Sequence, residues 1–174
     1  MQTNLKREPQ SVTAEGKSIA PLIDGVRVRY AVTLPDERGT VCEMYNPAWN
    51  FSDEPLVYVY QVTIRPGRVK GWAKHLEQDD RLFISQGTLR IALYDDRPDS
   101  PTYKMLNVIH LSELNRGLIH IPRGVFHAVQ NIGHTDALFV NMPTKAYNHN
   151  DPDKYRLPLD NDIIPFRFDN LLGW

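Results

Sequence analysis

Residues 122–131 read Pro122-Arg123-Gly124-Val125-Phe126-His127-Ala128-Val129-Gln130-Asn131, a turn that runs straight into a β-rich stretch. Proline presets one backbone angle and glycine supplies a positive one, so the pair reverses the chain. The β-branched and aromatic residues that follow are strand formers, and His127 starts that strand with its ring on the inward side. Working outward, the same grammar recurs. Residues 117–121 lead into the turn and 137–142 form the next apolar run. Upstream, 56–64 is β-branched and aromatic and is stopped by Arg65-Pro66-Gly67. Residues 81–84 are stopped by Ser85-Gln86-Gly87, and in 88–94 Leu89, Ile91 and Leu93 share one face at period two. After a turn at 95–98, residues 105–111 make a further strand. Short strands cut by turns at intervals of roughly 8–12 residues predict an all-β sandwich or barrel, not alternating βαβ units. Residues 112–115 are the one stretch that reads as helical, and they are too few to matter.

The chain has 174 residues, which predicts a single domain able to bury a proper core. Residues 1–20 are polar and aperiodic and read as a flexible N-terminal arm, leaving 21–174 as the domain. The tail from 148 to 174 is rich in Asp and Pro and should wrap as loop with a short strand or two. Twenty basic residues against 21 acidic ones give a formal net charge of −1, which speaks against a nucleic-acid or membrane-surface partner. No apolar run approaches the roughly 20 residues of a membrane span, and the first residues lack a secretory signal. With Cys42 the only cysteine, no intrachain disulfide forms, and a reducing cytoplasm is the expected location.

The 122–131 segment fits PxGxxHxxxN, the second signature of the cupin jelly roll, so the expected fold is a cupin-type double-stranded β-helix. The first cupin signature is partly kept: His75, Asp80 and Gly87 hold the spacing of its second His, its acidic residue and its Gly. Ala73 stands where another His ligand would be. One reading of this set is a two-His, one-carboxylate metal site formed by His75, Asp80 and His127. The bland reading is that Asp80 pairs with Arg81 or a neighbouring loop and His127 only hydrogen-bonds.

Five segments in order resemble the dTDP-4-dehydrorhamnose 3,5-epimerase family of sugar-nucleotide cupins. Residues 36–43 (Asp-Glu-Arg-Gly-Thr-Val-Cys-Glu) resemble its D-x-R-G-x-x-x-E. Gly71-Trp72-Ala73-Lys74-His75 sits where the family has R-G-L-H, with Trp72 in place of the Arg. Arg81-Leu82-Phe83 followed by Gly87 mirrors its K-L-V and glycine. Residues 121–127 match I-P-x-G-F-A-H, and Thr144 to Tyr147 with Asp160 to Ile163 resemble its closing T-x-x-Y and D-P-x-L.

The resemblance implies an isomerase acting on a nucleotide-linked 4-keto-6-deoxy sugar, dTDP-linked by the family's habit, in deoxysugar or polysaccharide biosynthesis. A ketone at C4 acidifies the protons on C3 and C5. A base removes one to give an enolate, and re-protonation on the opposite face inverts the carbon. His75 is the implied base, since neutral imidazole titrates near working pH. Asp160 is implied as the carboxylate behind it, and Arg81 as the cation beside the enolate oxygen. The family's catalytic Tyr falls on Asn141, which leaves Tyr147 as the candidate proton donor. Arg38 is implied as a diphosphate grip, with Glu43, Gln61, Lys74, His127 and Asn141 as further substrate contacts. Tyr58 and Tyr60 read as packing in preference to nucleobase stacking. The family implies no cofactor and a homodimer. Two competing readings are a non-catalytic nucleotide-sugar-binding cupin and the metal-dependent enzyme on His75, Asp80 and His127.

Overall fold

The computed structural model describes residues 6–15 and 18–169. Twelve strands follow one another: β1 Arg27–Tyr30, β2 Thr33–Asp36, β3 Gly39–Cys42, β4 Tyr60–Ile64, β5 Val69–Lys74 and β6 Asp80–Gln86, then β7 Thr88–Asp95, β8 Leu106–Ser112, β9 Gly117–Ile121, β10 Val125–Asn131, β11 Ala137–Asn141 and β12 Tyr155–Arg156. Among the described residues the only helix is one 3-10 turn, Pro47–Trp49. A first sheet has the order β1-β9-β6-β11-β4, a second has β12-β5-β10-β7-β8, and β2-β3 forms a separate hairpin. All pairings are antiparallel, and the two five-stranded sheets face each other as a jelly roll, as the turn-and-strand pattern predicts.

Period-two alternation decides what each strand contributes. On β7, Leu89, Ile91 and Leu93 are fully buried in the core between the sheets, with Leu82 and Ile84 of β6, Ile119, Val129 and Phe139. Ala92 and Tyr94 point the other way, into a second cluster that Trp72, Leu159, Ile164 and Phe168 build on the outer side of the second sheet. The tail thus earns its place as a cover: its Leu, Ile and Phe shield strands that would otherwise show an apolar outer face to water. A third cluster, Phe83, Leu118 and Met142, lies outside the first sheet under Tyr45, Trp49 and Phe51. Burying one such side chain contributes roughly 1.5–3 kcal/mol, so the two covers are as much part of the fold as the inner core.

Two turn glycines are required by geometry. Gly124, at the Pro-Arg-Gly turn, has φ +83°, and an added Cβ would lie 2.7 Å from Arg97 Cγ. Gly87, between β6 and β7, has φ +79° and would bring a Cβ to 2.7 Å from Ala137 Cα.

The strand expected over 56–64 is realised only as β4. Leu56, Val57 and Val59 are exposed, because the chain before Tyr60 crosses the outside of the first sheet and gives its Glu54 and Pro55 carbonyls to Arg81. The segment 112–115 is a turn held by Asn115 Oδ1, which accepts from the Ser112 backbone N–H and hydroxyl. Among its described residues the tail carries one two-residue strand, β12, within loop. Of the N-terminal arm, 6–15 and 18–20 are irregular, with a turn at 14–15 and one isolated bridge, Val12 to Ser18, and the remaining arm positions lie outside the described residues.

Candidate active site

A cavity of about 180 Å³ opens between the sheets at the edge where β4 and β12 lie. The first sheet supplies Tyr60, Asp80 and Asn141; the second supplies Lys70, His127 and Arg156, with His75 just past the end of β5 and Lys154 just before β12. Val62, Leu82, Phe139 and Val129 form an apolar floor. Cavities of this kind, mostly apolar with a few convergent polar groups, are where small ligands bind.

Asp80 is the centre of the polar group. Its strand begins with Asp80 turned inward and Arg81 outward, so the carboxylate enters the cavity and is 3% exposed. Asp80 Oδ2 lies 3.4 Å from His75 Nε2 and 3.5 Å from His127 Nε2. Its Oδ1 accepts from Gln78 Nε2 and from Asn141 Nδ2, each at 3.1 Å. The two imidazoles are stacked, with centroids 5.5 Å apart and planes at 27°.

His75 is oriented from behind by the tail. Its Nδ1 donates to the Asp153 carbonyl, while the Asp153 carboxylate accepts from the backbone N–H groups of Leu76, Glu77 and Gln78. One residue therefore grips the loop after β5 and fixes the tautomer of the ring, leaving Nε2 facing Asp80 and the cavity.

The electrostatics separate the two rings. Burial pulls the His75 pKa down, but the Asp80 carboxylate and then the Asp153 carbonyl outweigh it, and the net shift is upward. Burial drives His127 down to about 4, with the charge of His75 adding to it against Asp80. Asp80, whose burial would raise it, is instead held at about 2 by His75, His127 and Asn141. One carboxylate supports one imidazolium, so Asp80 favours the protonated form of His75 while burial keeps His127 neutral. Groups whose environments push their pKa values apart are those suited to acid–base work.

The structure brings His75, His127 and Asn141 together and places the other sequence candidates elsewhere. Arg81 does not reach the cavity: it is 0% exposed on the outer face of β6, and its guanidinium donates to the carbonyls of Met142, Glu54, Pro55 and Pro143. Period two put it there, because Asp80 next to it points inward. Asp160 is not behind His75; its side chain is 72% exposed and lies 3.3 Å from Arg167 Nε. Tyr147 is exposed in an outer, more polar chamber, edge-on to His149. Arg38, at the tip of the β2–β3 hairpin, is 81% exposed and bonded to Asp36 at 2.6 Å. Glu43 is exposed and accepts from Asn46. Gln61 points to the opposite face of β4 from Tyr60 and Val62, and Lys74 turns away from the cavity to Asp96 and the Phe126 ring.

The residues that sequence reading missed are Asp153, Lys154, Lys70, Arg156 and the site position of Tyr60. Asp80 was legible from the spacing of the first cupin signature, although as a metal ligand and not as the hub between His75 and His127. For Asp153 and Lys154 the sequence carries no signal beyond an Asp-rich tail.

A jelly roll whose two sheets enclose a histidine- and carboxylate-lined cavity is a cupin of the kind that processes a small polar molecule. The sequence model of the dTDP-4-dehydrorhamnose 3,5-epimerase family matches residues 21–164. The probable low-salt glycan biosynthesis epimerase Agl13 of Haloferax volcanii is 36% identical over 142 residues, covering 80% of this chain and 90% of that protein. The spore coat polysaccharide biosynthesis protein SpsL of Bacillus subtilis is 32% identical over 147 residues, covering 84% of this chain and 97% of its own. A crystal structure of a dTDP sugar isomerase from Desulfovibrio desulfuricans G20 superposes with a TM-score of 0.79 at 27% identity, over 86% of this chain and 95% of that one. The chain belongs to the dTDP-4-dehydrorhamnose 3,5-epimerase family, and its class of chemistry is that of a sugar isomerase.

Proposed function

We propose that the protein epimerises a nucleotide-linked 4-keto-6-deoxy sugar by removing a proton from carbon next to the ketone, with His75 as the base. The observation that carries this reading is the fixed imidazole: Nδ1 on the Asp153 carbonyl, Nε2 beside Asp80 and open to a sugar-sized cavity. Asp80, not Asp160, then stabilises the imidazolium that proton abstraction creates. His127 and Asn141 remain substrate contacts. The Asn141 Oδ1 is buried without a hydrogen-bond partner among the described residues and offers a substrate hydroxyl an acceptor.

Lys70, Lys154 and Arg156 gather at the same cavity, where Asp80 is the one carboxylate in the lining. That excess of cations suits a diphosphate, and the similarity to a dTDP sugar isomerase favours a dTDP-linked substrate. The names of the two curated relatives favour a role in glycan or polysaccharide biosynthesis. The test is product identity. Incubation with dTDP-4-keto-6-deoxyglucose, borohydride reduction of the ketone and chromatography of the released sugar should yield hexoses inverted at C3, C5 or both. Recovery of only the reduced starting configurations, with dTDP still bound, would favour a nucleotide-sugar binder.

A second reading is favoured by one observation: donor atoms of His75, Asp80 and His127 all lie within 4.8 Å of one another, a spacing able to hold a divalent cation. Elemental analysis separates the two. A stoichiometric metal whose removal abolishes turnover favours the metal enzyme, and turnover that survives chelation favours the base.

We also read the chain as a cytoplasmic homodimer. Cys42 is a free thiol, and the exposed apolar side chains of Val32, Leu34 and Val41 on and beside the β2–β3 hairpin favour pairing of two copies. Sedimentation of a species of one chain mass at micromolar concentration would contradict the dimer.

A further inference from the structure

Inverting a carbon takes two groups on opposite sides of the sugar ring: one removes a proton from the first face, and another delivers a proton to the second. His75 and His127 are stacked neighbours at the second sheet, so neither stands across the cavity from the other. The facing wall is the first sheet, and the ionisable groups it contributes to the cavity are Asp80 and Tyr60. Asp80 is fully engaged by both histidines, Gln78 and Asn141, and it holds no proton to give.

Tyr60 and Asn141 are direct partners in the β4–β11 ladder. Asn141 Nδ2 donates to the Tyr60 hydroxyl oxygen at 2.8 Å and to Asp80 Oδ1 at 3.1 Å. The carboxylate dictates that orientation, since a flipped amide would set its oxygen against Asp80 Oδ1. Both amide hydrogens are thereby used. The phenol accepts one of them, so its own hydrogen is left to point elsewhere, and its hydroxyl has no other partner among the described residues. The Tyr58 ring, 5.4 Å away, packs against it from the side. Tyr60 borders both the inner cavity and the outer chamber, which gives its oxygen a route to solvent.

We infer that Tyr60 is the catalytic acid of this site, delivering a proton from the first sheet to the enolate carbon on the face opposite His75, with Asn141 holding the phenol oxygen in place. The assignment rests on the proton-abstraction reading above. His75 Nε2 takes the proton from carbon, and the C–H electron pair moves into the enolate. The enolate collapses to the ketone as it takes the Tyr60 hydroxyl proton on its other face. The imidazolium and phenolate that result return to their starting forms by proton exchange with water. Burial first, and the Asp80 charge second, push the phenol up to about 12, so it is protonated and ready to donate at any working pH.

Tyr60→Phe removes one oxygen and tests this directly, with dTDP-4-keto-6-deoxyglucose in D2O as the probe. Because His75 can return solvent deuterium to the face it drew from, the variant should keep C3 or C5 exchange within about tenfold of wild type. Inversion should fall by at least about 10²-fold, with dTDP affinity within about threefold. Inversion at the wild-type rate overturns the assignment, and so does an equal loss of exchange and inversion, which would mark Tyr60 as a positioning residue for the sugar. Wild-type protein that neither exchanges nor inverts overturns the proton-abstraction reading itself. Thermal unfolding of the variant within a few degrees of wild type ties the result to chemistry and not to folding.

Discussion

His75→Asn is expected to lower turnover of a dTDP-linked 4-keto-6-deoxy sugar by at least about 10²-fold while leaving dTDP affinity within a fewfold of wild type. The asymmetry follows from where the ring sits. Nε2 faces the cavity beside Asp80, while the cations suited to a diphosphate, Lys70, Lys154 and Arg156, are separate side chains. An amide retains a donor for the Asp153 carbonyl but has no lone-pair nitrogen to take a proton. The measurement is a rate constant from NMR of the sugar protons, set against a calorimetric dissociation constant for dTDP. A rate within about threefold of wild type would remove His75 from the chemistry.

The same residue sets the pH profile. Its Asp80 and Asp153 partners favour the protonated ring, so the neutral, basic form is populated only above a raised pKa. Turnover should therefore rise with pH through a limb placed above the ordinary histidine value. Asp80→Asn should move that limb downward, because burial then acts on the ring without the opposing carboxylate. A limb that stays put in Asp80→Asn would separate the carboxylate from the base.

Arg81→Met should damage stability and not the chemical step. Sequence resemblance places this cation beside an enolate oxygen, but the fold places it outside the first sheet, with its guanidinium donating to four backbone carbonyls. Met fills some of the volume and satisfies none of them. Leaving the buried Met142 and Pro143 carbonyls unpaired, and losing the bonds to the Glu54 and Pro55 carbonyls, costs on the order of 3 kcal/mol. For a domain of this size that corresponds to a fall in Tm of roughly 6–12 °C. Folded variant, assayed below its transition, should retain turnover within about tenfold. Unchanged unfolding together with abolished turnover would return Arg81 to the active site.

The pair Asp80 and Arg81 shows what the sequence carries and what it does not. Alternation along a strand is readable, and it sends adjacent residues to opposite faces. Which face is the cavity and which is the outer cover depends on segments far away in the chain, here 45–55 and the tail. The turn-and-strand text from 117 to 142 determined the jelly roll because each piece is local. β5 was hidden by its glycine and charged residues, Gly71, Lys70 and Lys74, and the β2–β3 hairpin by Pro35. The carboxylate beside His75 is Asp80 and not the implied Asp160, for the same non-local reason. Asp160 occupies a matching position in a motif, yet the tail packs Leu159 inward and leaves Asp160 in solvent against Arg167. Tyr60 read as packing because no linear pattern announces that its hydroxyl will meet Asn141, 81 residues later.

Proton removal from carbon by this cavity is most directly tested by incubating the wild-type protein in D2O with dTDP-4-keto-6-deoxyglucose and following the C3 and C5 resonances. The expected result is loss of at least one of those proton signals, catalysed by the wild-type protein and absent with His75→Asn. Tight binding of the same compound with both signals intact over many hours would contradict an isomerase and leave a binding protein in its place.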